Sequence, residues 1–210
     1  MSTSPLALQS EGPAAAPIAD QRFRHGRYVI KRPWFSFFER TFRVFAPDGS
    51  LALFVRHPVL KLRGEWQIFA DEARTQPLVN VKAQQVIAFN YTYDLRDETT
   101  GAQIGSVRSK GIKSIVRDQV EIMDVAGNVI GHLIEIGYSI LRRFIPLLTS
   151  KHDIEIGGQV VATVRQKFRF FIKEFHVDQT LVVIGDDVDP RLVLTCALLA
   201  LVNESNREGG

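Results

Sequence analysis

"RLVLTCALLALV", residues 191–202, is the longest nearly unbroken apolar run in this 210-residue chain, and it comes almost at the end. A membrane-spanning helix needs about 20 predominantly apolar residues. The run from 192 to 202 is shorter than that, and Thr195 interrupts it. Asp186, Asp187 and Asp189 precede it, while Asn203, Glu204 and Asn206 follow. No transmembrane segment is therefore expected here. Its start has the chemistry of a helix N-terminus, because Asp189 is able to cap and Pro190 suits the first helical position. A helix that is apolar on every side belongs inside something. Pro190, Leu192, Leu194, Cys196, Leu198, Leu199 and Leu201 are accordingly expected to form a buried central helix.

The preceding segments supply the enclosure. Five of them share one pattern, an alternating strand, a turn and a second strand: "FRVFAPDGSLALFV", "WQIFADEARTQPLVNV", "YDLRDETTGAQIGSV", "VEIMDVAGNVIGHL" and "HDIEIGGQVVATV". Asp48-Gly49, Thr100-Gly101, Ala126-Gly127 and Gly157-Gly158 fall where hairpins require turn residues. In three repeats a small residue follows the turn glycine by four positions: Gly105, Gly131 and Ala162. Further strands are expected at 27–31 and 170–177, for about twelve in all. Serial hairpins followed by one apolar helix predict a mainly β fold, a closed antiparallel barrel around a buried C-terminal helix. Closure also removes exposed sheet edges.

Composition sets the limits around that domain. Hydrophobic content of 45% and charged content of 23% are ordinary for a globular chain, and the net charge is only +3. The opening "MSTSPLALQSEGPAAAPIAD" has no basic region followed by an apolar core, so no export signal is expected. Its Ser, Pro and Ala content predicts a disordered tail over 1–21. The barrel domain is expected over 22–204 and a second tail over 205–210. The single cysteine excludes an internal disulfide framework, which fits a reducing compartment. A cytoplasmic protein, peripheral to a membrane if it meets one, is the expectation.

The stretches "LKLRGEWQIFAD", "YDLRDETTGAQIGSVRSKGIKSIVRDQVEIMD", "GGQVVATVRQKF" and "DPRLVLTCALLALV" resemble the LURP-one-related, phospholipid scramblase and Tubby C-terminal superfamily, over about residues 27–203. The order of the hairpins, the Lys-Gly-Ile-Lys-Ser-Ile-Val-Arg-Asp segment and the closing helix together carry the resemblance, which is nearest to the small bacterial LURP-one-like branch. It implies a twelve-stranded barrel around a central helix, in agreement with the strand count above. Scramblases carry a calcium segment with two aspartates. The corresponding stretch here, "FIKEFHV", has Phe171 and Lys173 at those places, and the cysteine cluster of animal scramblases is missing. Calcium-triggered lipid scrambling is not carried over.

The residues point to no reaction. "GSVRSKGIKS" superficially suggests a phosphate loop, but Gly105 and Gly111 are six apart and Ile112 stands where the lysine belongs. His25, His57, His132, His152 and His176 are scattered, without the convergent spacing of a zinc site. Cys196 lies inside the apolar run, where a thiol behaves as a small hydrophobe. "GDDVDP" reads as helix-terminus chemistry, because a calcium cage needs six or more oxygens. No enzymatic activity, cofactor or metal is expected.

Surface electrostatics remain. Lys110, Lys113 and Arg117 form a basic connection, and Arg142, Arg143 and Lys151 surround the apolar "FIPLL". Arg165, Lys167, Arg169 and Lys173 alternate with other residues, and strand geometry puts the first three on one outward side. Tubby domains bind phosphoinositide headgroups through basic surface residues. The expected function is thus a non-enzymatic interaction module for anionic phospholipid headgroups or a protein partner at a membrane surface. The candidate contacts are Lys110, Lys113, Arg117, Arg142, Arg143 and Lys151. Two alternatives stay open: a nucleic-acid-binding or regulatory protein, with nucleic acid the less expected partner, and a ligand carrier with its pocket in the barrel.

Overall fold

The computed structural model describes residues 21–33, 39–58, 64–84, 91–109, 119–136, 149–167, 169, 172–180 and 188–208. Twelve antiparallel strands close into one barrel in sequence order. They are β1 (Arg27–Pro33), β2 (Glu39–Phe45), β3 (Leu51–Pro58), β4 (Glu65–Phe69), β5 (Pro77–Ala83), β6 (Tyr91–Asp97), β7 (Gln103–Ser109), β8 (Gln119–Met123), β9 (Val129–Glu135), β10 (Lys151–Ile156), β11 (Gln159–Lys167) and β12 (Ile172–Gln179). β1 pairs with β12 over its whole length, which closes the ring without an edge. The five sequence-predicted hairpins are β2–β3, β4–β5, β6–β7, β8–β9 and β10–β11; β1 covers the strand expected at 27–31, and β12 takes up the one expected at 170–177 from residue 172, residues 170 and 171 lying outside the described residues.

All five hairpins carry the same irregularity. Each register slips by one residue near the turn, leaving Ala52, Leu78, Ile104, Ile130 and Val161 as the extra residue of a β-bulge. The first four are equally spaced along the chain. A bulge sets two residues against one and bends its strand, and here the bulged pair turns inward. Ala52 and Leu53, Leu78 and Val79, and Val161 and Ala162 are buried together. Opposite the bulges stand Val44, Ile68, Leu95, Ile122 and Ile154, none of which reaches solvent.

This explains the small residue four places after the turn glycine. A Cβ on Gly131 would lie 2.0 Å from the Glu155 carbonyl oxygen, and one on Gly105 would lie 2.7 Å from that of Met123 and 3.1 Å from Leu192 Cδ2. The turn glycines serve a different need, a left-handed backbone at Gly49, Gly101 and Gly127. In the β4–β5 turn Arg74 takes the equivalent position with φ +61°, so that hairpin shows no glycine in the sequence.

The barrel is filled by α1 (Pro190–Glu208). Every residue from 191 to 202 is buried. The helix continues through 208 where a tail was expected from 205, because nothing that terminates a helix occurs before Gly209. Asp189 caps it: its carboxylate accepts the Arg191 backbone N–H at 2.9 Å. Arg191 then reaches back to Asp97 at the end of β6, while Leu192 packs beside Gly105. α1 therefore enters at the end of the barrel that carries the five tight hairpins and runs toward the opposite end. That opposite end, here the connector end, is where the longer connections leave and enter the strands.

The hairpin end is sealed from outside as well. A short 3-10 turn (Gln21–Phe23) places the Phe23 side chain fully inside. Gln179 Nε2 donates to the carbonyls of Phe23 at 3.0 Å and His25 at 2.8 Å, and the Tyr28 hydroxyl donates to Arg22 O at 2.9 Å. Burial raises the Tyr28 hydroxyl pKa, the His25 backbone contact opposing it only in part.

Candidate functional site: two basic surfaces

Strand alternation decides which charges face out. On β11 the residues Arg165 and Lys167 are exposed while Val164 is buried, and Arg169, just beyond the strand, is also turned to solvent. The outward side expected for these three is the side they occupy. The pairing extends the patch sideways: Lys151 on β10 stands directly opposite Arg165, and Lys31 on β1 stands opposite Glu174 on β12, which in turn opposes Lys167. Like charges directly opposite on one face destabilise a sheet, so the Lys151–Arg165 pair costs stability when no anion lies over it.

Glu174 is the acid placed between Lys31 and Lys167 in this patch. Glu174 accepts from His176 Nε2 at 2.8 Å and lies 3.5 Å from Arg169 Nε. The His176 hydrogen bond, and to a lesser degree the Arg169 charge, hold the Glu174 carboxyl below its usual range against the opposing effect of burial. Lys151, Arg165 and Lys167 form no ion pair among the described residues. Of the six expected contacts only Lys151 lies within the described residues. Lys110, Lys113, Arg117, Arg142 and Arg143 lie outside them. Ser109 of β7, Gln119 of β8, Glu135 of β9 and Lys151 of β10, which bracket those segments, all stand at the connector end.

A second basic group faces inward, and sequence reasoning missed it. Arg32 on β1, Arg40 on β2, His57 on β3 and Lys173 on β12 share the inward side of their strands with Ile30, Phe42, Val55 and Phe175, and all four are buried. Lys173, grouped with the alternating basic residues of the sequence, therefore lies inside the barrel and not on its outer face. The signal was present, since each of these residues keeps the parity of two apolar neighbours on its own strand. Arg32 and Lys173 are cross-strand partners. Arg40 opposes His57, and the β3–β4 register continues to Trp66 at the next inward place.

His57 and Trp66 are only 4% and 2% exposed, with ring centroids 6.0 Å apart in an edge-on arrangement. Neither His57 Nδ1 nor Trp66 Nε1 has a hydrogen-bond partner. Burial, and then the neighbouring Arg40 charge, push the His57 imidazole down to about 4, so it is neutral at physiological pH.

Other features hold less chemistry. The Cys196 thiol, wholly buried, is raised far from reactivity by that burial. A shallow depression of about 720 Å³ on the outer wall is lined by Arg56, Glu65, Gln67, Phe69, Ala73 and Arg74 with Trp66 behind them. Its acids are tied up laterally, Glu65 accepting from Asn80 Nδ2 at 2.5 Å and the nearby Glu98 from Gln67 Nε2 at 2.6 Å. Among the described residues no three His, Cys, Asp or Glu side chains converge as metal ligands, and no helix is long and apolar enough to cross a membrane. Comparison with family models, with curated proteins and with solved structures found no match in any of the three.

Proposed function

We propose that this chain is a LURP-one-related, Tubby-like barrel acting as a non-enzymatic interaction module, and that it takes anionic lipid headgroups at a membrane surface. The observation that carries this reading is the outward row of Lys151, Arg165 and Lys167, cations without an acid partner among the described residues, on a protein whose net charge is small. With a net charge of +3, attraction has to come from a local cluster. Lys110, Lys113, Arg117, Arg142 and Arg143 add to it from the segments that begin and end at the same end of the barrel. A barrel packed with a side-chain-rich helix leaves little room for substrate, which supports binding over catalysis. A cytoplasmic protein peripheral to the membrane fits this reading.

Each basic residue near an anionic surface contributes about 1 kcal/mol, decaying within a Debye length. The expected outcome is co-sedimentation with phosphatidylserine-containing vesicles at low salt, weakening steeply as salt is added, and none with phosphatidylcholine alone. The Arg165→Ser/Lys167→Ser double variant and the Lys110→Ser/Lys113→Gln/Arg117→Ser triple variant should each weaken binding roughly tenfold or more, without lowering the melting temperature. A wild-type protein that ignores anionic vesicles even at low salt overturns the lipid reading and leaves a protein-partner scaffold in its place.

A further inference from the structure

The outward row of Lys151, Arg165 and Lys167 has apolar company. Among the described residues the exposed large apolar side chains are Val125, Val129, Ile136, Val160 and Ile172. Ile136, 39% exposed, follows β9, and its N–H donates to the Lys151 carbonyl at 2.8 Å. It therefore continues the row Lys151–Arg165 onto a third strand. Ile172, 45% exposed, opens β12 on the same outward side as Glu174, which opposes Lys167. Resting on the lipid reading above, we propose that the barrel meets an anionic bilayer connector end first, with Lys151, Arg165 and Lys167 at the headgroups and Ile136 and Ile172 inserted between headgroups and acyl chains.

The sign of charge along the wall decides the orientation. Outward on β10, Lys151 is followed by Asp153 and Glu155, while Ile154 between those acids faces the core. A strand rises about 3.3 Å per residue, so Asp153 stands about 7 Å and Glu155 about 13 Å from Lys151 along the wall. The Debye length at physiological salt is about 8 Å. A barrel lying on its side would press both carboxylates against the anionic surface. One standing on its connector end keeps Glu155 beyond that range while the three cations stay within it.

The same change of sign selects the isoleucines over the valines. Single exposed apolar residues are ordinary on a protein surface, so their neighbours have to decide. Val125 and Val129 follow Asp124 in the β8–β9 turn, and Val160 stands opposite Glu155. Inserting those valines would drive carboxylates toward like charge. Ile136 and Ile172 are drawn in beside cations instead. Interfacial binding grows with buried apolar area together with attraction to anionic lipid, and here both occur at one end.

The test uses the full chain and vesicles of phosphatidylserine and phosphatidylcholine at low salt. Cys196 is the single cysteine and is buried, so a nitrobenzoxadiazole label is directed to introduced thiols in Ile172→Cys and Val160→Cys. The label at 172 should shift to the blue on vesicle addition and be quenched by a spin label on the acyl chains. The label at 160, on the same wall at the hairpin end, should keep its aqueous emission. Unlabelled Ile136→Ser/Ile172→Ser should bind severalfold more weakly than wild type, with the salt dependence and the melting temperature unchanged. Val125→Ser/Val160→Ser should bind as wild type does. Equal shifts at 160 and 172 assign side-on docking and overturn the proposal. Vesicle binding with both labels still aqueous overturns it too, as does full binding by Ile136→Ser/Ile172→Ser. Each of these leaves the lipid reading standing, because the wild-type protein still sediments with the vesicles, whereas no wild-type binding overturns both.

Discussion

At the hairpin end of the barrel the buried charges are paired. Arg191 spans Asp189 and Asp97, and Asp97 also accepts the N–H groups of Thr99 at 2.7 Å and Thr100 at 2.8 Å. At the connector end Arg32, Arg40 and Lys173, each with interactions of its own, are buried in one inward layer with His57 Nδ1 and Trp66 Nε1, which lack hydrogen-bond partners. The same strands build both ends, so the contrast comes from side chains alone. Tight hairpins with bulges and small residues fasten one end, and the longer connections leave and enter the strands at the other.

The largest test of that division is removal of the plug. The central helix buries five leucines between 192 and 201, each worth about 1.5–3 kcal/mol. Their sum is comparable to the whole stability of a typical domain. Deleting residues from Asp189 onward should yield an unfolded or insoluble chain. A soluble truncation with a cooperative melt and unchanged strand signal in circular dichroism would show that the barrel closes without its filling.

Next in size is the latch at the hairpin end. Burial alone would raise the Asp97 carboxyl, yet Thr100, Arg191 and Thr99 together hold it below the usual range. Arg191 is raised in turn by Asp189 and Asp97 despite the opposing effect of burial. Arg191→Met keeps the volume and leaves Asp97 without its counter-charge. Breaking one partner of a buried pair costs about 3–5 kcal/mol, and urea midpoints at neutral pH should show it. The contribution of Asp97 should fade as pH drops. Its folded pKa is depressed, so the stability is full above the ordinary carboxylate range and is lost as pH falls through the lower folded value. A variant as stable as wild type would mean that the helix entry is held by packing alone.

Much of this architecture was legible in the sequence, for reasons that particular residues make clear. Period-two alternation and turn glycines located ten strands, and the all-round apolarity of residues 191–202 placed the helix inside. The turn glycine followed by Gly105, Gly131 or Ala162 marked the bulges without revealing them, since register is a relation between strands that one strand does not state. Asp97 and Arg191 are 94 residues apart and only closure joins them. The inward basic layer went unread because Arg40 and Lys173 sit among outward arginines and lysines, and charge is read by habit as surface. Parity with Phe42 and Phe175 was the corrective signal.

A third prediction separates the two uses of glycine at the hairpin end. Gly131→Ala would press a Cβ against the Glu155 carbonyl, whereas Gly49 has open space and needs only its left-handed backbone. Overpacking of this kind costs about 1–3 kcal/mol, and alanine in a left-handed conformation about 1–2 kcal/mol. Gly131→Ala should therefore lower the melting temperature at least as far as Gly49→Ala. Gly131→Ala alone should also slow amide exchange poorly across the β9–β10 pairing, where the carbonyl must move. Equal protection there in both variants would show that the bulge yields easily.

The smallest effect at neutral pH, and the one with the opposite sign, belongs to the connector end. His57→Phe keeps an aromatic ring against Trp66, removes the orphaned Nδ1 and takes a titratable group away from Arg40. An unsatisfied buried polar atom costs about 1–3 kcal/mol, partly offset here by imperfect packing of a larger ring. The variant should be about 1 kcal/mol more stable than wild type at pH 7. The gap should widen in acid. The folded pKa of His57 is pushed down to about 4 from the ordinary 6.5 of a free imidazole, so below 6.5 the unfolded chain takes up a proton that the folded protein refuses. Wild-type stability is lost through that window, down to about pH 4, by roughly 3 kcal/mol in total, whereas the variant keeps it. Stabilisation by His57→Phe beside destabilisation by Arg191→Met would show that the paired charge at the hairpin end holds the fold while the orphaned His57 nitrogen at the connector end costs it. If His57→Phe destabilises at pH 7 as strongly as Arg191→Met, the inward layer is structural and the contrast between the ends disappears.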